Sequence, residues 1–145
     1  MKLVDANVLL YAINTDAPQH AAARAWLEAS LSGGETVAFS WNVLLAVLRL
    51  STRAAVFPRP LTPEQALDLI EGWLGQPTAT VVHPGERHVR ILRELTGRLG
   101  TGGNLVSDAH LAALAIEHEA ELCSCDADFG RFARLRWRNP LGGKH

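Results

Sequence analysis

Apolar positions along this chain switch period repeatedly, and the switches predict strands alternating with helices. Lys2 to Asp5 is a short β-prone run ending in an acid, and Ala6 to Ile13 continues with mixed apolar spacing, so a first strand passes straight into a helix. Ala22, Ala25, Trp26 and Ala29 trace one face of a second helix reaching Leu31, and Asp16 followed by Gln19 has the spacing of a capping box ahead of it. Gly33 and Gly34 stop that helix. Glu35 to Ser40 (ETVAFS) reads as the second strand and Trp41 to Arg53 as a strongly apolar helix. Pro58, Pro60 and Pro63 make Phe57 to Pro63 an extended connector rather than a domain boundary, because periodic spacing resumes at once beyond it. Thr62, Pro63 and Gln65 open a helix to about Leu74. Thr78 to His83 (TATVVH) is a third strand, and a helix follows from Gly85 to about Leu99. Gly100 to Asn104 makes a flexible turn, with Asn104 as cap for a helix through Glu119; Glu121 to Cys125 is a fourth strand and Leu135 to Arg138 a fifth. The pattern predicts one α/β domain over residues 1–145, with a mostly parallel central sheet flanked by helices.

Composition narrows the function classes. With 145 residues and 48% hydrophobic positions, the chain can bury a core without disulfides or a structural metal. Fourteen Lys and Arg stand against 15 Asp and Glu, a net charge of -1, so bulk charge does not drive it onto nucleic acid or anionic membrane. Cys123 and Cys125 have no second Cys pair or His pair at zinc spacing. Asp5 and Asn7 interrupt the first apolar run, which argues against a secretory signal, and no run is long enough for a membrane span. The expectation is a cytoplasmic protein with no membrane partner.

Residues that close strands carry weight in such folds, because ligands bind beyond the carboxyl ends of the strands. Asp5 closes the first strand, Asp126 the fourth, and Asp128 follows two positions on; if those strands are neighbours, three carboxylates share one edge. The plainer alternative makes them caps and turn residues. Asp108 shares a helical stripe with Leu111, Ala112 and Ala115, a face that should meet protein, and no Lys or Arg lies within one turn of it. A carboxylate there needs a partner or a metal, and the alanines leave room for a hydrated ion. Oxygen ligands suit Mg²⁺ or Mn²⁺, which assist phosphodiester cleavage. Spacing alone equally allows a phosphatase or a phosphorylation-receiver pocket. The receiver is disfavoured because no lysine lies between Lys2 and Lys144.

The segments LVDANVLLYA (Asp5, Asn7), GNLVSDAHLAALAIEH (Asn104, Asp108) and CSCDADFGRF (Asp126, Asp128, Phe129) together resemble the PIN-domain ribonucleases, and specifically the VapC-type toxins of toxin–antitoxin pairs, over nearly the whole chain. The resemblance implies a compact α/β/α fold and Mg²⁺- or Mn²⁺-dependent endonucleolytic cleavage of structured RNA of the translation machinery, transfer or ribosomal. It also implies a cognate VapB-type antitoxin and a homodimer. On this reading Asp5, Asp108 and Asp126 are catalytic, Asp128 joins them in holding the ion, and Asn7, Asn104 and Ser124 orient carboxylates or water. One departure stands out. The family usually places a glutamate six residues after a serine following the second strand; counting from Ser40, this chain has Ala46. That leaves three possibilities: a site with one ligand fewer, Asp128 as substitute, or a catalytically weak RNA- or antitoxin-binding module.

Other residues invite RNA contact. Arg49 and Arg53 share the stripe of Ala46 and Asn42, and guanidinium pairs well with phosphate. In the tail, Arg131, Arg134, Arg136 and Arg138 interleave with Phe129, Phe132 and Trp137, a pattern suited to backbone contact and base stacking, or to an acidic antitoxin segment. Once four carboxylates are neutralised by an ion, the remaining charge is positive. His110 and His118 are read as packed or surface residues, His83 stays ambiguous, and Cys123 and Cys125 as small apolar groups on one side of a strand.

Overall fold

A computed structural model describes residues 1–142. Strands β1 (Lys2–Val4), β2 (Val37–Phe39), β3 (Ala79–Val81), β4 (Glu121–Cys123) and β5 (Trp137–Arg138) form one sheet in the order β3-β2-β1-β4-β5. Every pairing is parallel, with Lys2 opposite both Val37 and Glu121 and Val4 opposite Cys123. Helices α1 (Ala6–Ile13), α2 (His20–Leu31), α3 (Trp41–Ser51), α4 (Pro63–Leu74), α5 (His88–Leu99) and α6 (Leu105–Glu117) connect them, with a 3₁₀ helix at Ala127–Arg131. Parallel strands need crossovers, which explains why nearly every strand is followed by a helix. Strands β2 and β3 lie to one side of β1 and strands β4 and β5 to the other, so the winding reverses between β1 and β4. That switch point is where parallel sheets open a crevice.

Burial follows the pattern of residues. Leu3, Val4, Val37, Ala38, Phe39 and Leu122 are wholly inaccessible, as expected for short strands covered on both faces. Helix α1 packs on α2 and α3, α3 on α4, and α5 on α6. The Phe39 ring lies parallel to Trp73 of α4 with centroids 6.2 Å apart, tying strand to helix.

Three local expectations are corrected. Asp16 and Gln19 form no capping box: α2 begins at His20 without a side-chain cap, and Asp16 instead binds Arg59, whose Nη2 donates to Oδ1 at 2.8 Å. A guanidinium distant in the same chain outcompetes a local N–H for that carboxylate. The capping box that forms is Thr62 with Gln65, which exchange hydrogen bonds of 3.1 and 3.0 Å at the start of α4. Asn104 occupies the cap position of α6 but makes no side-chain cap bond, its backbone being bent away from the extended conformation such caps use. Helix α3 ends at Ser51, so Arg53 lies past the stripe of Asn42, Ala46 and Arg49.

Candidate active site

Because β1 pairs with β4 in the register Val4 opposite Cys123, Asp5 follows the end of β1 and Asp126 lies three residues past the end of β4, both at the switch-point edge of the sheet. Asp5 is the N-cap of α1: Oδ1 accepts the Ala6 N–H at 2.7 Å, and the helix N-terminus favours its negative charge. Its other oxygen accepts from the Ser124 hydroxyl at 2.7 Å. Ser124, fully buried just beyond β4, is the hub of the site. Its oxygen also accepts from Asn7 Nδ2 and from the Asp126 N–H, both at 3.1 Å, while Asn7 Oδ1 accepts the Cys125 N–H at 3.1 Å. The Trp137 indole donates to the Ser124 carbonyl at 2.9 Å, bracing the hub from β5. Asp126 caps the 3₁₀ helix by accepting the Asp128 N–H at 2.9 Å, so for Asp5 and Asp126 the cap reading and the site reading are both true.

Asp108 enters from the first turn of α6, which follows the turn at Gly100 and Gly103, whose φ values of 84° and 59° need glycine. Asp108 is not the unpartnered acid that its own helix suggests. Arg131, from the 3₁₀ helix, donates to Asp108 Oδ2 at 2.7 Å; the two side chains are 31% and 16% exposed, Arg131 first. Burial nonetheless raises the Asp108 pKa above the ordinary carboxylate range. The Arg131 charge opposes this, and Asp126, Asp5 and Asp128 add to it. Asp5 is raised as well, chiefly by burial and slightly by Asp126, against the pull of Ser124 and the Ala6 N–H. Asp108 thus feels three neighbouring carboxylates and one guanidinium.

The donors gathered here are carboxylate and hydroxyl oxygens, a set that suits Mg²⁺ or Mn²⁺ better than softer ions. Among the described residues no group of three or more acidic, histidine or cysteine side chains is arranged so that it could hold a metal ion as it stands, and Arg131 supplies the positive charge at Asp108. Asp128 is exposed beside Asp126. Asn104 is exposed, and its side chain makes no cap bond to α6. Ala46 is half-buried on α3; Arg49 and Arg53 are exposed.

The tail does not offer its phenylalanine rings for base stacking. Phe129 and Phe132 are 1% and 2% exposed, held in the core, because the 3₁₀ turn rotates them inward. Its arginines are engaged instead: Arg134 with Glu94 at 2.6 Å, Arg138 with Glu121 at 3.3 Å and Arg136 with the Glu119 carbonyl at 2.7 Å. His110 packs against His88 with ring nitrogens 3.0 Å apart, and His118 binds the His83 carbonyl at 2.8 Å, so these histidines serve packing around α5 and α6. Cys123 is buried, with its thiol pushed up to about 12 mainly by burial; Cys125, past the end of the strand, is only half-buried. What the sequence did not reveal is Arg131 as partner of Asp108 and Trp137 as brace of Ser124. Both depend on β5 and the 3₁₀ turn folding back across the sheet, and only the aromatic–arginine interleaving hinted at them. A larger cleft, about 710 Å³, opens between α2 and α4 and is lined by none of these carboxylates.

The class these features define is a small parallel α/β domain with an acidic centre at its switch point. The PIN domain model matches residues 2–135, and the chain belongs to the PIN-domain family, among its VapC-type members. It is 51% identical over 140 residues to Ribonuclease VapC37 of Mycobacterium tuberculosis, covering 97% of each chain. With Ribonuclease VapC33 of the same species identity is 40% over 141 residues, covering 97% of this chain and 99% of the other. Among solved structures, VapBC2 from Rickettsia felis bound to a promoter DNA fragment superimposes with a TM-score of 0.70 at 21% identity, covering 94% of this chain and 96% of the other. Mycobacterium tuberculosis VapC20, a sarcin–ricin loop cleaving toxin, gives 0.64 at 18% identity over 94% and 99%. The expected fold and family are therefore borne out.

Proposed function

We propose that this chain is a divalent-metal-dependent endoribonuclease toxin, acting on structured RNA of the translation machinery and restrained by a cognate VapB-type antitoxin. The observation that carries the reading is the β1–β4 pairing, which unites Asp5 and Asp126 at the switch point with Asp108 of α6 in electrostatic reach. Relatives named ribonucleases at 40–51% identity support the activity. The choice of transfer or ribosomal RNA, the homodimer and a cytoplasmic setting rest on the family alone. Among the described residues no helix is long and apolar enough to cross a membrane.

Asp5, Asp108 and Asp126 would hold the ion, with Asp128 beside them; bound there, Mg²⁺ or Mn²⁺ supplies the charge neutralisation and water activation that phosphodiester hydrolysis needs. The chain's own residues do the rest. Ser124 and Asn7 fix the Asp5 and Asp126 loops relative to each other, so both carboxylates are preorganised before substrate arrives. Arg131 balances Asp108 in the meantime and lies where phosphate charge would approach.

A catalytically weak RNA- or antitoxin-binding module is the second reading, favoured by Ala46 at the place of the family's glutamate. The discriminating experiment incubates antitoxin-free protein with total bacterial RNA, with and without Mg²⁺ or Mn²⁺, and maps new 5′ ends. Discrete metal-dependent ends support the enzyme; metal-loaded protein that binds RNA without cutting it supports the module.

A further inference from the structure

A cleft of about 420 Å³ adjoins the acidic site, between the C-terminal half of α5 and the segment after the 3₁₀ helix. Four arginines line it, Arg93, Arg98, Arg131 and Arg134, and one acid, Glu94, which is taken by Arg134 at 2.6 Å. In a chain of net charge -1 this is a local concentration of positive charge. Arg131 is the shared wall: it borders the cleft and grips Asp108 at 2.7 Å, so cleft and carboxylates are contiguous. Arg93 and Arg98 are exposed and, among the described residues, form no ion pair.

Two further features shape the cleft. Leu99, 43% exposed, and the buried Leu95 add an apolar flank beside the guanidinium groups. Gly97 lies inside α5, where glycine weakens a helix, yet a Cβ there would meet nothing within 4 Å. Packing therefore does not demand glycine. Its effect is to keep the wall of the cleft low.

Resting on the ribonuclease reading, we propose that this cleft is a nucleotide subsite, which holds the RNA residue next to the bond cut at the carboxylates. Arg93 and Arg98 take its phosphate oxygens, and the Leu95–Leu99 flank takes the apolar face of its sugar or base. The volume suits a single nucleotide-sized ligand better than a peptide helix, and contiguity with Asp108 fits a chain of phosphates passing from one site to the other.

The test is fluorescence anisotropy with a fluorescein-labelled RNA stem-loop and Asp5→Asn protein, which should not cut it, in Mg²⁺ at several salt concentrations. Adding Arg93→Gln and Arg98→Gln together should weaken binding about tenfold and flatten the logarithmic salt slope by roughly one, for the phosphate no longer neutralised. Gly97→Glu should weaken it comparably. Arg24→Gln, at an α2 residue paired with Glu28, should change nothing. Thermal melts establish that each variant folds. Binding by Asp5→Asn protein that is unaltered in the folded double variant and in Gly97→Glu overturns the subsite and leaves the ribonuclease reading intact. Absence of RNA binding by Asp5→Asn and wild-type protein alike overturns both. If the double variant instead loses an acidic polyglutamate peptide while keeping RNA, the cleft belongs to a protein partner and the proposal falls.

Discussion

Replacing Arg131 by Gln should lower stability without metal and raise affinity for metal, by the same amount. Arg131 Nη2 is 2.7 Å from Asp108 Oδ2. Unit charges about 4 Å apart attract by about 4 kcal/mol at an effective dielectric of about 20. Desolvation of Asp108, whose side chain is 16% exposed, and the ordering of a long side chain offset most of this, leaving a net of about 1 kcal/mol. In chelator, Arg131→Gln should therefore melt about 3–4 °C lower than the parent. If a divalent ion takes Asp108, the guanidinium must yield it, so the pair's free energy opposes binding; linkage then makes Mn²⁺ bind the variant about fivefold more tightly. Asp108→Asn supplies the control. Burial and the neighbouring acids raise the Asp108 pKa, so the folded state holds that proton more tightly than the unfolded chain does. The burden of the charged form is absent below the ordinary carboxylate range and complete above the folded-state pKa. Asp108→Asn should thus raise the melting temperature in chelator at neutral pH, with the gain fading as the pH falls into the ordinary carboxylate range. In that background Arg131→Gln should have almost no further effect on either quantity. Calorimetric Mn²⁺ titration and melts of the four proteins complete the cycle. Equal or weaker Mn²⁺ affinity in a folded Arg131→Gln protein would refute the competition.

Ser124→Ala removes the hydroxyl that joins Asp5, Asn7 and the Asp126 N–H and should cost about 1–3 kcal/mol, read by urea unfolding, with about 10–100-fold weaker Mn²⁺ binding. An unchanged midpoint and affinity would show that Asp5 and Asp126 are fixed by other means. Ala46→Glu should tighten Mn²⁺ binding about tenfold, without necessarily speeding cleavage; unchanged affinity in folded protein would show that this position does not face the ion. The Cys123 thiol, pushed up to about 12 from 9.0, should resist alkylation at about pH 8 in the native state and react on unfolding. Its raised pKa supplies stability that is intact below pH 9.0 and lost as pH climbs towards about 12; rapid native alkylation would contradict its burial.

Much of the fold was legible because the chain punctuates itself. Thr62, Pro63 and Gln65 announce α4 by side-chain chemistry that operates locally, and the acids after the first and fourth strands mark the carboxyl edge. The sequence could not say that those two strands are neighbours, since pairing order is a property of the whole sheet. Where local signals misled, a distant group won: Arg59 drew Asp16 from its cap, and Arg131 found Asp108 across 23 positions. The aromatic tail misled for another reason. Phe129 and Phe132 alternate with arginines as a stacking surface would, but a 3₁₀ turn, whose period is near three, turns both rings into the core.

The central claim is that Asp5, Asp108 and Asp126 form one ion-dependent cutting centre. Its most direct test is single-turnover cleavage of an RNA with a mapped site, by the parent and by Asp5→Asn, Asp108→Asn and Asp126→Asn, across a Mn²⁺ titration. Each variant should remain folded, lose cleavage by more than about a hundredfold, and bind Mn²⁺ more weakly. Cleavage at the same site and rate by any folded variant, or by the parent in chelator, would contradict the account.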